Sequence, residues 1–340
     1  MDAVIARRYG GPEVLEIGSV PTPTPKDNEV LVKIHASAVT QADVMMRTGT
    51  PHFARLFVGL RGPKAKIPGT SFAGKVVAKG AGVTRYAVGD DVFGETTLGF
   101  STHAQFVAVA ETGVIQHVPH NMSYLEAAPV TDGALTVHNF LTRLASIKPG
   151  QKVLINGAAG GLGTFAVQYA RHFGAEVTGV ASTRNADLVR EMGADHFIDY
   201  TKTDVTRGAE RYDLIFDTVG KLGFSKARRV LTPDGVYLSP VLGLPMLIQM
   251  LWTSRFSRRK GRFAATGLLP HDQLSTMLGE VKALIEAGSI WTHIDRTYPM
   301  SEIVDAHRYV EAGHKRGAVV LEMAHRALAD TPRAVEVAVR

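Results

Sequence analysis

Lys152 to Phe173 reads KVLINGAAGGLGTFAVQYARHF, and this stretch decides the fold. It opens on a short apolar run, Val153-Leu154-Ile155, too short for a buried helix and right for a parallel strand. Four of the seven residues that span the following turn are glycine: Gly157, Gly160, Gly161 and Gly163. Helical periodicity then begins, with Phe165, Ala166, Tyr169, Ala170 and Phe173 on one face. Strand, glycine turn and helix, in that order, are the setting of a dinucleotide fingerprint. Small residues let the backbone approach a pyrophosphate, and the free N–H groups of the helix start point at it. The spacing is Ala158-x-Gly160-x-x-Gly163, with alanine where the usual pattern has its first glycine. Ala159, Gly160, Gly161, Leu162 and Gly163 are the cofactor-binding residues expected in this turn.

Working outward, the segments downstream alternate. Glu176–Ala181 reads as a strand and Ala186–Met192 as a helix stopped by Gly193. His196–Asp199 and Asp213–Asp217 read as strands, Ser225–Leu231 as a helix and Val236–Ser239 as a strand. Such alternation predicts an α/β fold with a parallel sheet covered by helices on both faces. Upstream, Ser123 and Glu126 have capping-box spacing, and Ala134–Leu144 continues helical. Before Ser123 the texture is different. Short strand-like runs (Glu29–Ala36, Phe72–Lys79, Val88–Gly94, Phe106–Ala110) alternate with turns, which predicts a small β-rich domain. Asp43–Arg47 begins a short helix that ends near Gly49, and residues 50–66 form a loop over the substrate region or a solvated lid. After the alternating region come helices Gln273–Ala287 and Met300–Ala312, a strand Ala318–Glu322, and a tail with no evident sheet partner.

At 340 residues the length suggests about two domains. Hydrophobic content of 45% and charged content of 21% are ordinary for a globular chain. There are no cysteines, which excludes disulfides, thiolate catalysis and cysteine-ligated zinc. The first residues lack a basic-then-apolar signal pattern, and Val241–Trp252 is too short to span a bilayer, so a cytoplasmic location is expected. The net charge of +6 suits anionic small ligands, and no nucleic-acid motif accompanies it.

This organisation resembles the medium-chain dehydrogenase/reductase superfamily, and most closely its zinc-independent quinone oxidoreductase and enone reductase branch. The resemblance rests on Tyr9-Gly10-Gly11-Pro12, Ala38-Val39-Thr40-Gln41-Ala42-Asp43, Val88-Gly89-Asp90-Asp91-Val92, Gly157–Gly163, Gly193-Ala194-Asp195 and Gly313–Val320. It implies a GroES-like β-rich catalytic domain plus a Rossmann domain with a doubly wound parallel sheet. The division expected is 1–123 for the first part of the catalytic domain and 124–265 for the NADP-binding domain. Residues 266–323 then return to the catalytic domain, and 324–340 form a tail. Zinc members of the superfamily hold a metal at positions that fall here on Thr40, on Thr70-Ser71 and near Asp132. Hydroxyls and one carboxylate are a poor zinc site, and His35, His52, His103, His117, His120 and His138 show no zinc-motif spacing. A metal-free protein is therefore expected.

Without a Lewis acid, the surviving chemistry is hydride transfer to an already electrophilic acceptor, a quinone or an α,β-unsaturated carbonyl. Thr40 and Asp43 are the catalytic candidates, to orient substrate or relay a proton; packing and helix capping are their structural alternatives. An alcohol or aldehyde dehydrogenase, or a non-catalytic NADPH-binding partner, are the competing readings. The second fingerprint strand ends Ser182-Thr183-Arg184-Asn185 with no carboxylate before Asp187. Hydroxyls and a guanidinium suit a 2′-phosphate, so NADPH is expected over NADH. The resemblance adds Tyr200 near the adenosine phosphate, Thr136 near the nicotinamide phosphate, and Val219-Gly220 and Val241-Leu242 lining the cleft. It also implies a homodimer in which a strand near Phe263–Thr266 pairs across the interface, next to the apolar-then-basic segment Leu244–Arg262.

Overall fold

The computed structural model describes residues 1–52, 55–241 and 243–325. Leu242 and most of the expected tail lie outside the described residues.

The stretch that opens on Lys152 builds the centre of a six-stranded sheet. Its order is His196–Asp199, Glu176–Ala181, Lys152–Asn156, Tyr212–Asp217, Leu231–Leu238 and Lys260–Arg262. Every pairing is parallel. Helices cover such a sheet on both faces, which is why Val153, Leu154, Ile155, Ile215 and Phe216 are fully buried. The chain leaves Lys152–Asn156 in one direction and later returns on its other side. That switch opens a crevice at the carboxyl end of the strand, where the glycine turn stands.

Three expectations in this sheet need correction. The helix expected over Ser225–Leu231 spans only Phe224–Ala227, and the strand expected from Val236 begins at Leu231. Tyr212 N–H bonds the Val230 carbonyl at 2.8 Å at the end of a turn, which draws the buried Leu231 into extended backbone beside Tyr212. The strand expected near Phe263–Thr266 is instead Lys260–Arg262, and Thr266 starts a 3-10 turn. Leu244–Phe256 forms a helix, with Ile248, Leu251, Trp252 and Phe256 exposed. The 50–66 loop contains a short helix, Arg55–Val58.

The second sheet is largely antiparallel. Glu29–Ala38 and Ser71–Lys79 form its middle, followed by Asp91–Glu95 and Val114–His117, while Phe106–Ala110 also pairs with Glu29–Ala38. The late strand Ala318–Glu322 pairs antiparallel with Ala36–Ala38, so the end of the chain is woven into its beginning. Asp2–Ala6 and Leu15–Ser19 make a separate hairpin.

Between the sheets lies a helical rod from Tyr124 to Leu144. Ser123 and Glu126 cap its start reciprocally. The rod widens into π-helical turns at Thr131–Leu135 and Asn139–Leu144. One apolar core joins its Val130, Ala134, Leu135 and Phe140 to Phe93 of one sheet and Ile155 of the other. Side chains of this size contribute about 1.5–3 kcal/mol each when fully buried.

The β-rich side encloses one unusual group. His307, on the helix Ile303–Glu311, is fully buried, and neither ring nitrogen has a hydrogen-bond partner among the described residues. Burial, with the nearby His103 and Arg47, pushes its pKa from 6.5 down to about 2. The folded protein thus holds it neutral while the unfolded chain takes up a proton below about pH 6.5. Its contribution is intact above that pH and is lost as pH falls, by up to about 1.4 kcal/mol per pH unit. His307→Leu is expected to flatten the fall of the urea midpoint between about pH 6.5 and pH 5, and an unchanged slope would rule His307 out as its source.

Candidate active site

The glycine turn is shaped by lack of room. Gly157 has φ +81°, a left-handed conformation that favours glycine. A Cβ on Gly163 would lie 2.0 Å from the Gly157 carbonyl, so the helix rests directly on its own turn. Gly160 caps the helix Gly161–His172, whose first N–H groups face the crevice. A parallel bridge ties Gly160 to Gly317, and the return loop carries Lys315 over the helix start. A Cβ on Gly161 would come 3.0 Å from Lys315 Nζ. Lys315 was not legible as a site residue in the sequence, because the helix start lies about 150 positions away in the chain and only the strand return brings them together.

The lips of the crevice converge on Gly157. Val219 abuts it, and a Cβ on Gly220 would lie 2.7 Å from the Val241 side chain. Both valines are exposed, Val219 at 47% and Val241 at 41%. Ala159 is buried, and Leu162 and Thr136 are half-buried, Thr136 directly after the first π turn of the rod. The lip is organised by the fully buried Asp217. Its carboxylate accepts from Asn156 Nδ2 at 2.7 Å, Tyr237 OH at 2.8 Å, and the N–H groups of Gly220, Leu222 and Gly223 at 3.0, 2.8 and 3.3 Å. Sequence reading stopped at the neighbouring Val219; a strand-terminal Asp before a glycine-containing loop is the signal that could have drawn attention to Asp217.

At the end of the second strand, Ser182 Oγ accepts from Asn185 Nδ2 at 3.2 Å, and Asn185 is buried with its Oδ1 unpartnered among the described residues. Arg184 is exposed and its guanidinium reaches the His314 carbonyl at 3.3 Å. Tyr200 is exposed alongside. The third strand delivers a carboxylate that linear spacing hid: Asp199 accepts a hydrogen bond from the Thr183 hydroxyl and another from Thr201 Oγ1. These hydroxyls hold Asp199 at a pKa of about 2.

The ionisable groups nearer the rod lie deeper. Thr40 and Asp43 are buried and form a closed capping box on the helix Gln41–Thr48. Asp43 Oδ2 accepts from both Thr40 N and Thr40 Oγ1 at 2.8 Å. Thr40 also lines a pocket of about 10 Å³ together with Asp132, Gly161 and Lys315. Asp132 rides on the first π turn, a distortion that frequently marks functional sites. Burial, opposed by Lys315 and reinforced by Asp43, pushes Asp132 up to about 6. Burial also lowers Lys315, against the pull of Asp132 and Asp43. Glu95, at the end of Asp91–Glu95, is pushed up to about 8 by burial and then by the charge of Asp132.

Known proteins give this crevice a context. An alcohol dehydrogenase GroES-like domain model matches residues 26–120, and a zinc-binding dehydrogenase model matches residues 192–321. A quinone oxidoreductase of Pseudomonas aeruginosa is 30% identical over 92% of this chain and 97% of its own length. A chloroplastic NADPH-dependent alkenal/one oxidoreductase of Arabidopsis thaliana is 30% identical over 94% of this chain and 79% of its own. The chain belongs to the medium-chain dehydrogenase/reductase superfamily, in its quinone oxidoreductase and enone reductase branch. The solved quinone oxidoreductase of Coxiella burnetii superposes with a TM-score of 0.84 at 26% identity, covering 95% of this chain and 99% of that one. As a member of this superfamily the protein is an oxidoreductase that uses a nicotinamide cofactor.

The zinc named in one family model finds no fitting donors here. At the corresponding positions Thr40 is closed on Asp43, and the Ser71 hydroxyl accepts from Ala38 N at 3.1 Å. Among the described residues no group of three or more His, Cys, Asp or Glu converges. Tetrahedral zinc needs four ligands, normally thiolate or imidazole. Asp217→Ala would strand five donors and is expected to lower unfolding free energy by about 3 kcal/mol, measured by urea denaturation; a loss under about 1 kcal/mol would show that the lip does not depend on it.

Proposed function

We propose that this protein transfers hydride from NADPH to a quinone or an α,β-unsaturated carbonyl, without zinc. The observation that carries the reading is a cationic, glycine-walled crevice beside a cleft whose polar groups are Thr40, Asp132 and Lys315 rather than thiolates and imidazoles. When bound, the nicotinamide supplies the hydride, and the protein's task is orientation. The N–H groups of Gly161, Leu162 and Gly163 and the Lys315 ammonium receive the pyrophosphate. Ala159 and Gly160 let it approach, Thr136 faces the nicotinamide phosphate, and Val219 and Val241 border the cleft. Ser182, Arg184, Asn185 and Tyr200 surround the adenosine end, with the exposed Arg184 guanidinium, one arm of which meets the His314 carbonyl, placed to fork onto a 2′-phosphate. Thr40 walls the acceptor site, and Asp43 is a positioning residue that fixes Thr40. The relatives named for quinones and for alkenals and alkenones support the acceptor class.

One observation favours NADH as a second reading: Asp199 places an ionised carboxylate beside Thr183, where a ribose 2′-hydroxyl would find an acceptor. We retain NADPH because Asp199 is already engaged by two threonine hydroxyls while Arg184 is exposed. We further propose a cytoplasmic homodimer with the domain limits 1–123, 124–265 and 266–323. Lys260–Arg262 is an edge strand and offers a pairing side. Among the described residues no helix is long and apolar enough to cross a membrane.

Fluorescence titration separates the cofactor contacts. Arg184→Ala is expected to weaken NADPH about tenfold, or about 1.4 kcal/mol, and to leave NADH unchanged; equal weakening of both would overturn the NADPH preference. Lys315→Met is expected to weaken both cofactors alike, since the pyrophosphate is common to them. Steady-state NADPH oxidation with 1,4-benzoquinone, but-3-en-2-one and trans-2-hexenal tests the reaction. Turnover that survives a metal chelator is expected, whereas alcohol oxidation restored only by added zinc would overturn the reading.

A further inference from the structure

The helix Leu244–Phe256 is apolar on almost every side, and a helix of that kind belongs inside something. Its inward side is accounted for. Met246 and Thr253 are buried, Thr253 Oγ accepts from the Gly261 N–H at 3.1 Å, and Gln249 Nε2 donates to Ser225 Oγ at 2.8 Å. Its outward side is not. Leu247, Ile248, Leu251, Trp252 and Phe256 recur at the spacing of one helical face. They are exposed to between 38% and 72%. Single apolar residues on a surface need no explanation, but five along one face make a patch of the kind that marks an interaction site. The charges around it indicate the partner. Residues 221–262 carry nine lysines and arginines and one aspartate. The whole chain is net +6, so the rest of the molecule taken together is slightly negative. Arg255 is exposed on the outward face itself, Arg258 is exposed just past the helix, and Lys226 is exposed next to the Ser225 that meets Gln249. The one acid, Asp234, is already held by Arg258 at 2.7 Å. A second copy laid on this face by two-fold symmetry would set one positive patch against its duplicate, which is unfavourable. A nucleic acid would meet the charges and leave the apolar stripe in water. An anionic bilayer surface satisfies both: apolar side chains enter the boundary between headgroups and acyl chains, and the cations meet the phosphates. Tryptophan is at home in that boundary.

We propose that the face formed by Leu247, Ile248, Leu251, Trp252 and Phe256 docks on an anionic lipid bilayer, and that the acceptor is drawn from that bilayer. The docking stands on the helix alone; the source of the acceptor rests on the reductase reading above. The helix starts three residues beyond Val241, whose exposed side chain meets Gly220 at the lip of the crevice. A docked helix therefore holds that lip beside the lipid. Quinones and alkenals with long apolar chains leave water for the bilayer, so the crevice meets them where they are concentrated.

The test uses the full chain and vesicles of phosphatidylcholine, with or without phosphatidylserine. Trp252 is one of two tryptophans, so Trp291→Phe leaves it as the sole reporter. Vesicles containing phosphatidylserine are expected to shift its emission to the blue and to sediment the protein. Phosphatidylcholine alone is expected to bind about tenfold more weakly or less, and added salt to weaken binding to the anionic vesicles. Leu251→Glu combined with Phe256→Glu is expected to abolish sedimentation, and Arg255→Glu to weaken it about tenfold. Melting temperature and NADPH binding are expected to stay unchanged in both. No blue shift, or equal sedimentation of the wild type and the double variant, overturns the docking. A double variant that turns a lipid-free dimer into a monomer overturns it too, and makes the face an interface between copies. The acceptor is tested by NADPH oxidation with a decyl-chain quinone carried in anionic vesicles and with 1,4-benzoquinone in water. The double variant is expected to lose most of the first rate and keep the second. Equal effects on both overturn delivery from the bilayer while the docking stands on fluorescence. A wild type that binds vesicles but oxidises NADPH with neither quinone overturns the reductase reading and leaves the docking in place.

Discussion

The contact on which the rest depends is the one between the fingerprint helix and the rod. A Cβ on Gly133 would lie 2.5 Å from the Phe165 ring, and one on Gly163 would lie 2.0 Å from the Gly157 carbonyl. Neither interface has space for a methyl group, and overpacking such sites costs about 1–3 kcal/mol or forces the backbone apart. The tight fit brings the rod's first π turn to the helix start, and with it Asp132 to within reach of Lys315. Cofactor cradle and acid cleft are therefore two sides of one packing solution.

That solution also explains the electrostatics. Asp132 and Lys315 share one small pocket and Glu95 stands on another, and burial is the leading influence on each of them. Interaction between charges is strengthened where the dielectric is low. Asp217 has the opposite solution to the same problem: it is fully buried, but five donors satisfy it. One carboxylate consequently builds the lip, while burial is the leading influence on the protonation of Asp132 and Glu95. His307 is a third case, a buried imidazole kept neutral by burial and by the nearby His103 and Arg47.

The placement of the chain's end matters as much as the fingerprint. Ala318–Glu322 pairs with Glu29–Ala38, and the bridge from Gly317 to Gly160 ties that pairing to the nucleotide turn. The β-rich side thereby contributes Lys315 to a crevice otherwise made by the parallel sheet. Any motion that widens the crevice must move the 313–317 loop as well.

The sequence by itself determined the strand–turn–helix fingerprint, the parallel sheet around it and the capping boxes at Thr40 and Ser123. Each is written in local periodicity and in short-range hydrogen bonding, which a few adjacent residues suffice to specify. It misjudged the end of the Phe224–Ala227 helix because Val230 and Leu231 are equally apolar in either backbone, and only pairing with Tyr212 chooses between them. It argued from the missing carboxylate after the second strand, whereas the sheet brought Asp199 over from the third. Lys315 reaches the helix start only because the chain's late return brings it there, and Asp217 gains its donors only from neighbouring strands of the parallel sheet and the loop beyond it. Burial and long-range pairing are properties of the packed chain, so which carboxyl is satisfied and which stays available was decided by tertiary structure alone.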